Sequence, residues 1–136
     1  MILNNSQNRK IIFNYLNNVL EDDFIDEIII PLFSSRGYEH YRTNSHGPGE
    51  KGKDIIFCRY IDLHYDLEYI AIQAKAEPVT ASNVADIAKQ LMRAYKTSIP
   101  LKAGSGTTKP NYAILINARK HTNDVSAELP DLVDNY

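Results

Sequence analysis

Three polar side chains lie in two segments that otherwise have the composition of buried strands. Asp54 begins the segment DIIFCRYI, and Gln73 and Lys75 lie in the segment YIAIQAKA. Because side chains alternate across a strand, Gln73 and Lys75 share one face. Ile72 and Ala74 then point the other way, into the core. If the two strands pair as a hairpin, an acid, an amide oxygen and an ammonium meet in one small area.

This set of groups is suited to the hydrolysis of a phosphodiester. Mg²⁺ prefers oxygen ligands and keeps several waters, and Asp54, Gln73 and the carbonyl of Ala74 can supply oxygens. Mg²⁺ or Mn²⁺ bound there would lower the pKa of a water and offset charge on the phosphate. Lys75 can orient the attacking water or stabilise the developing charge. The alternative is a half-buried strand whose polar face happens to show Gln and Lys.

Two helices are predicted before the first strand. The first covers residues 6–20 and is an addition to the core. Asp22 or Asp23 can cap the second. Pro31 should kink or break that second helix, because proline removes a backbone donor and clashes with the preceding turn. Gly37 is expected to end it.

Four strands and one more helix complete an α/β order of αβββαβ. The strands are predicted at residues 38–42, 54–61, 69–76 and 111–117, the last of them buried. Ser82 can cap the helix before the last strand. The apolar stripe of that helix is formed by Val84, Ile87, Ala88, Leu91 and Tyr95. Because a strand–helix–strand unit needs a crossover, the central sheet is expected to be mixed and flanked by helices.

The composition predicts a single soluble domain, residues 1–136. Hydrophobic residues make up 43% and charged residues 24%, which is ordinary for a globular protein. The one cysteine, Cys58, allows no internal disulfide, so a reducing cytoplasm fits best. No apolar run approaches the roughly 20 residues that span a bilayer, so no membrane partner is expected.

Positive charge is concentrated in the second half of the chain, although the net charge is −2. The stretch from Ile87 to Asn123 contains no acid. Its basic residues are Lys89, Arg93, Lys96, Lys102, Lys109, Arg119 and Lys120. The first three share one face of the predicted helix and could bind the phosphates of a nucleic acid, with the loop of Lys102 and Lys109 extending that surface. The alternative is an ordinary solvated surface.

In the order and spacing of its motifs, the chain resembles the PD-(D/E)XK nuclease superfamily, and most closely its Mrr-like restriction endonuclease branch. Members carry an acid at a strand start, then Glu or Gln, any residue and Lys on the next strand, as Asp54 and Gln73-Ala74-Lys75 do here. A glycine-rich turn with an acid precedes the strand, matched by Glu50 in GPGEKGKD. A helix ending in Gly-Tyr is matched by FIDEIIIPLFSSRGY. The resemblance covers roughly residues 23–117.

The resemblance implies a restriction-endonuclease-like fold and a metal-dependent endodeoxyribonuclease, with use in defence against foreign DNA. It adds Glu50, and either Asp26 or Glu27 on the helix, to the catalytic residues. Lys51 and Lys53 would join the contacts to DNA. Gln73 replaces the Glu of most members and removes one negative charge from the metal site.

Two other functions stay open. One is a nuclease-fold module that binds nucleic acid or a partner protein without cutting, and the other is an enzyme similar to Holliday-junction resolvases. Because no separate recognition domain fits in the chain, a homodimer or an additional domain or subunit is expected to supply recognition.

Overall fold

The computed structural model describes residues 5–45, 53–61 and 66–119. These residues form an α/β fold in which a mixed four-stranded sheet is flanked by helices. The helices are α1 (Asn5–Asn18), α2 (Glu21–Phe24), a π turn (Ile25–Ile29), α3 (Ile30–Ser35) and α4 (Val84–Lys96). The strands are β1 (Glu39–Ser45), β2 (Lys53–Tyr60), β3 (Leu67–Lys75), β4 (Ile99–Pro100), β5 (Thr107–Thr108) and β6 (Tyr112–Asn117).

The large sheet has the order β1-β2-β3-β6. β1, β2 and β3 are antiparallel neighbours, whereas β6 is parallel to β3. The expected mixed sheet and its αβββαβ order are therefore confirmed. The sequence did not predict β4 and β5, which pair as a short ribbon in a stretch expected to be a loop.

Both faces of the sheet are covered, which produces two apolar layers. One layer lies between the sheet and the helical segment before β1. It contains Ile55, Phe57, Ile70 and Ile72 from the sheet and Phe24 and Ile29 from the helical segment. The alternate residues of the same strands pack on the side of α4, since Ile56 and Ala71 share a hydrophobic cluster with Ala94. The position of a side chain along β2 or β3 therefore decides which helix it faces.

The chain stays helical from Glu21 through Ser35, so the expected kink or break at Pro31 is replaced by a π turn. The Ile30 N–H donates to the Ile25 carbonyl, five residues earlier. Proline lacks an N–H and its ring crowds the carbonyl four residues before it, and a widened turn accommodates both effects. Neither Asp22 nor Asp23 caps this helix, because it begins at Glu21 after an extended Leu20. Both acids lie in its first turn.

Gly37 ends the helix as predicted. Its φ of +86° favours glycine. The Gly37 N–H donates to Ser34 and the Tyr38 N–H donates to Phe33, with distances of 3.2 and 3.0 Å to the carbonyl oxygens. The rings of Phe33 and Tyr38 also meet, with 5.6 Å between centroids. This is a Schellman motif with its hydrophobic contact, and it directs the chain into β1.

Three expectations about the second half were wrong. β6 is the edge of the sheet, and its Tyr112 and Ile114 are exposed, so it is not a buried strand. In α4 the cap position is Asn83, because Ser82 still belongs to the preceding turn. Tyr95, which was expected in the apolar stripe of α4, is exposed, while its neighbour Ala94 is buried. None of the described helices is long and apolar enough to cross a membrane.

Candidate functional site

The β2–β3 hairpin brings the three polar residues together. Asp54 is the direct register partner of Gln73, and Lys75 lies two residues further along, at the last position of β3. Directly opposed residues of antiparallel strands have Cα atoms about 5 Å apart. The pairing expected from the sequence is therefore confirmed.

All three side chains are buried, more deeply than the sequence suggested. The exposed fraction is 1% for Asp54, 0% for Gln73 and 8% for Lys75. Asp54 and Gln73 lie on the same sheet face as Ile56 and Ala71, and that face is covered by α4. Ile72 and Ala74 lie in the opposite core layer, as expected.

The Gln73 amide has no hydrogen-bond partner among the described residues, although its Oε1 and Nε2 are both buried. Such groups are rare in folded proteins and often indicate a ligand or water that belongs there. Gln90 Oε1 is in the same situation. Gln90 lies three residues after Ile87 and four before Ala94 on the buried side of α4. β3 and the helix that covers it, α4, therefore each place an unsatisfied amide oxygen on the buried side where they face each other.

The electrostatic surroundings of Lys75 are mixed. Burial lowers the pKa of its ammonium, while Glu21, Glu77 and Asp54 act in the opposite direction. The charged form is thus desolvated but surrounded by acids. An ammonium held in this way can donate hydrogen bonds to an anionic group that enters the site.

Glu21 is a site residue that the sequence did not reveal. It is half-buried at the start of α2, which contacts β3. Burial raises the pKa of its carboxyl group, and Lys75 partly offsets that rise. The only signal in the sequence was an acid at a predicted helix start, which the helix dipole favours in any protein.

Asp26 and Glu27 lie on the exposed surface of the π turn. Glu27 accepts a hydrogen bond from the Tyr15 hydroxyl, which raises the pKa of Tyr15 to about 12. Of the acids in this helical segment, Glu21 rather than Asp26 or Glu27 raises the pKa of Lys75. The resemblance named either Asp26 or Glu27 as the helical acid, and the π turn adds a residue that rotates the helix before it relative to Gly37.

Lys53 fixes the start of α2 to the start of β2. Its Nζ lies 2.7 Å from Asp22 Oδ1, and this contact raises the pKa of Lys53. Asp22 follows Glu21 directly, so this exposed ion pair lies next to Glu21 in the first turn of α2. Glu50 and Lys51, predicted as catalytic and DNA-binding, lie outside the described residues.

The donor set fits a hard cation with few protein ligands. No group of three or more His, Cys, Asp or Glu side chains able to hold a metal occurs in the described part of the chain. The oxygens put forward from the sequence are those of the Asp54 carboxylate, the Gln73 amide and the Ala74 carbonyl, and of these the Gln73 amide is unsatisfied among the described residues. Mg²⁺ is commonly held by one or two carboxylates and keeps its remaining waters.

The carboxyl ends of the parallel strands β3 and β6 meet beside Lys75. The Ala118 N–H donates to the Lys75 carbonyl at 2.8 Å, and Asn117 Nδ2 donates to the carbonyls of Lys75 and Glu77 at 3.3 and 2.8 Å. Asn117 Oδ1 accepts from the Arg119 N–H at 3.0 Å. Asn117 therefore ties the segment after β3 to the segment after β6.

The basic face of α4, which consists of Lys89, Arg93 and Lys96, is exposed as predicted. It runs away from the site. Val84, at the start of α4, lies in a cluster against which Leu115, the register partner of Gln73, is packed. Further along α4, Ala94 packs with Ala71 and Tyr69 near the other end of β3.

Lys102 and Lys109 do not extend that surface toward the site. The Lys102 N–H donates to the Tyr69 hydroxyl at 2.9 Å, and Lys102 Nζ pairs with Glu39. Asn111, two residues after Lys109, donates its N–H to the Tyr69 carbonyl. Tyr69 precedes Lys75 by six residues, or about 20 Å of strand. Both lysines therefore belong to the opposite end of the sheet.

No family model matches the chain, and neither a curated protein nor a solved structure is similar enough to match it.

Proposed function

We propose that the chain is a divalent-metal-dependent endonuclease of the PD-(D/E)XK type that hydrolyses phosphodiester bonds in DNA. The observation that carries the proposal is the register of the hairpin, which sets Asp54 opposite Gln73 and leaves Lys75 at the end of β3. The αβββαβ order and the mixed sheet agree with the restriction-endonuclease-like fold and the Mrr-like resemblance.

In this proposal Asp54, the Gln73 amide oxygen and the Ala74 carbonyl hold Mg²⁺ or Mn²⁺. The ion supplies charge neutralisation and a water of lowered pKa. Lys75 donates a hydrogen bond to the attacking water or to a phosphoryl oxygen on which negative charge develops. Glu21 acts through Lys75 by favouring its charged form.

Cleavage of supercoiled plasmid, with Mg²⁺ or Mn²⁺ and with or without EDTA, tests the proposal. The informative variants are Asp54→Asn and Lys75→Met. Both replacements have about the same size as the original side chain, so they should not create a cavity in the core. Lys109→Met is the matched control, because it removes a lysine at the opposite end of the sheet. Circular dichroism and thermal melting establish that each variant is folded.

We expect metal-dependent nicking or linearisation by the parent chain and by Lys109→Met, with loss of activity in both site variants. A folded Asp54→Asn or Lys75→Met that cleaves at the parent's rate would refute the assignment. So would cleavage that persists in EDTA.

One observation favours a second candidate, a nuclease-fold module that binds nucleic acid or protein without cutting. Asp54 and Gln73 are almost wholly inaccessible within the described residues. A chain of this kind would bind labelled duplex DNA or a partner but would leave plasmid intact with either metal. The same plasmid assay, paired with a binding measurement in EDTA, separates the two functions.

A further inference from the structure

Arg119 has a buried donor that the described structure leaves unsatisfied. Its Nε is inaccessible to solvent and has no hydrogen-bond acceptor there. Nor does any ion pair found in the described ranges involve its guanidinium group. Arg119 as a whole is half-buried, and arginine stays charged in proteins, so its guanidinium is suited to an anionic partner.

The backbone of Arg119 is fixed next to the candidate site. Asn117 is the register partner of Lys75, and the Asn117 side chain accepts the Arg119 N–H. Ala118, between them, is buried and donates to the Lys75 carbonyl. Adjacent strands are about 4.8 Å apart. An arginine side chain that starts two residues beyond Asn117 is therefore long enough to reach the groups around Lys75.

This position is one where open α/β sheets bind ligands. The crevice outside the carboxyl ends of parallel strands is the usual ligand site in such sheets. β3 and β6 form the parallel pair here, and Lys75 and Arg119 lie at or just beyond their carboxyl ends. A second observation points to a ligand at the same end, namely the fully buried and unsatisfied amide of Gln73.

We propose that Arg119 binds a backbone phosphate of the nucleic acid, next to the phosphate held at Lys75. This inference rests on the proposed function and adds a substrate-binding residue to it. The planar guanidinium can donate two parallel hydrogen bonds to the nonbridging oxygens of one phosphate, which a lysine cannot do. Arg119 contributes binding and register along the strand, whereas Lys75 faces the reacting group.

The test is a fluorescence anisotropy titration of a labelled 20-base-pair duplex in EDTA, where binding is measured without cleavage. The parent chain is compared with Arg119→Gln, Arg119→Lys and the control Lys109→Gln over a range of salt concentrations. One phosphate contact changes the slope of log affinity against log salt by about 0.9. At 0.1 M salt this corresponds to about tenfold in affinity.

We expect Arg119→Gln to weaken binding about tenfold and to flatten the salt slope by about one unit. Arg119→Lys should keep the parent's slope but bind more weakly than the parent, because it retains the charge and loses the paired hydrogen bonds. Lys109→Gln should bind as the parent does.

Parent-like affinity and slope in a folded Arg119→Gln would overturn the inference and leave the proposed nuclease function intact. If Arg119→Gln does not fold, Arg119→Lys decides: affinity equal to the parent's would also overturn it. A parent chain that neither binds the duplex nor cleaves plasmid would remove the proposed function, and the inference with it.

Discussion

Replacing Gln73 by methionine should make the protein more stable and inactive. The Gln73 side chain is fully buried, and both polar atoms of its amide lack a partner among the described residues. A buried donor or acceptor without a partner costs about 1–3 kcal/mol. Methionine has nearly the same shape and no group that needs a hydrogen bond. We therefore expect the free energy of unfolding of Gln73→Met to exceed the parent's by about 1–3 kcal/mol in EDTA.

Urea unfolding in EDTA, extrapolated linearly to water, measures this difference. Thermal melting should agree, with a rise of roughly 2–8 °C for each kcal/mol. Gln7→Met is the matched control, because Gln7 is exposed on α1 and its replacement should change stability by less than about 0.5 kcal/mol. The midpoint should shift while the slope of the free energy with urea stays constant.

Addition of Mg²⁺ should narrow or reverse the difference in the free energy of unfolding between Gln73→Met and the parent. A ligand that binds the folded chain at 100 times its dissociation constant stabilises it by about 2.7 kcal/mol. The parent should gain more than Gln73→Met, which has lost one ligand. If Gln73→Met is less stable than the parent in EDTA, the amide has a favourable partner, and the reasoning from its unsatisfied atoms is refuted.

Three further predictions concern charge. Gln73→Glu should bind Mg²⁺ or Mn²⁺ more tightly in calorimetry but should be less stable in EDTA, because it sets a second buried carboxylate opposite Asp54. Unchanged metal affinity would mean that residue 73 is not a ligand. The raised pKa of Glu21 means that its contribution to stability is present below its usual pKa of 4.5 and is lost as the pH rises through the raised value. Glu21→Gln should therefore lose less stability than the parent between pH 4 and pH 7 in urea titrations, and parallel curves would contradict this. Changing the whole basic face of α4 to glutamine should weaken duplex binding and flatten the slope of log affinity against log salt by about two to three units. The affinity for metal should not change. Duplex binding with the parent's slope would mean that this face is only solvated surface.

The hairpin could be predicted from sequence because its information is local. Alternation in β2 and β3 sets the faces, and a one-residue slip would exchange every core residue for its neighbour. Asp54 and Gln73 are register partners, so the hairpin brings the acid and the amide together as the sequence suggested. Gly37 was also predictable, since few residues other than glycine tolerate its positive φ.

Features that depend on distant contacts could not be predicted in this way. The apolar segment YAILIN has the composition of a fully buried strand, but its place at the edge of the sheet depends on strand order rather than on composition. The direction of α4 relative to the site likewise follows from packing on Leu115 and Tyr69, residues far apart in sequence. Glu21 was missed because an acid at a helix start is favoured by the helix dipole in any protein and so gives no specific signal.

The placement of polar groups argues that this end of the sheet is built for a ligand. Positions 54 and 73 lie in the same buried layer as Ile56 and Ala71. Apolar side chains there would fill that layer at a lower free-energy cost than a buried carboxylate and a buried amide. Local rules that a sequence breaks without structural compensation are expected at functional sites. A more stable Gln73→Met that no longer binds metal would show that the cost supports binding, and loss of plasmid cleavage in that variant would show that it supports catalysis. A more stable Gln73→Met that retains the parent's metal affinity and activity would instead mean that the buried amide serves neither.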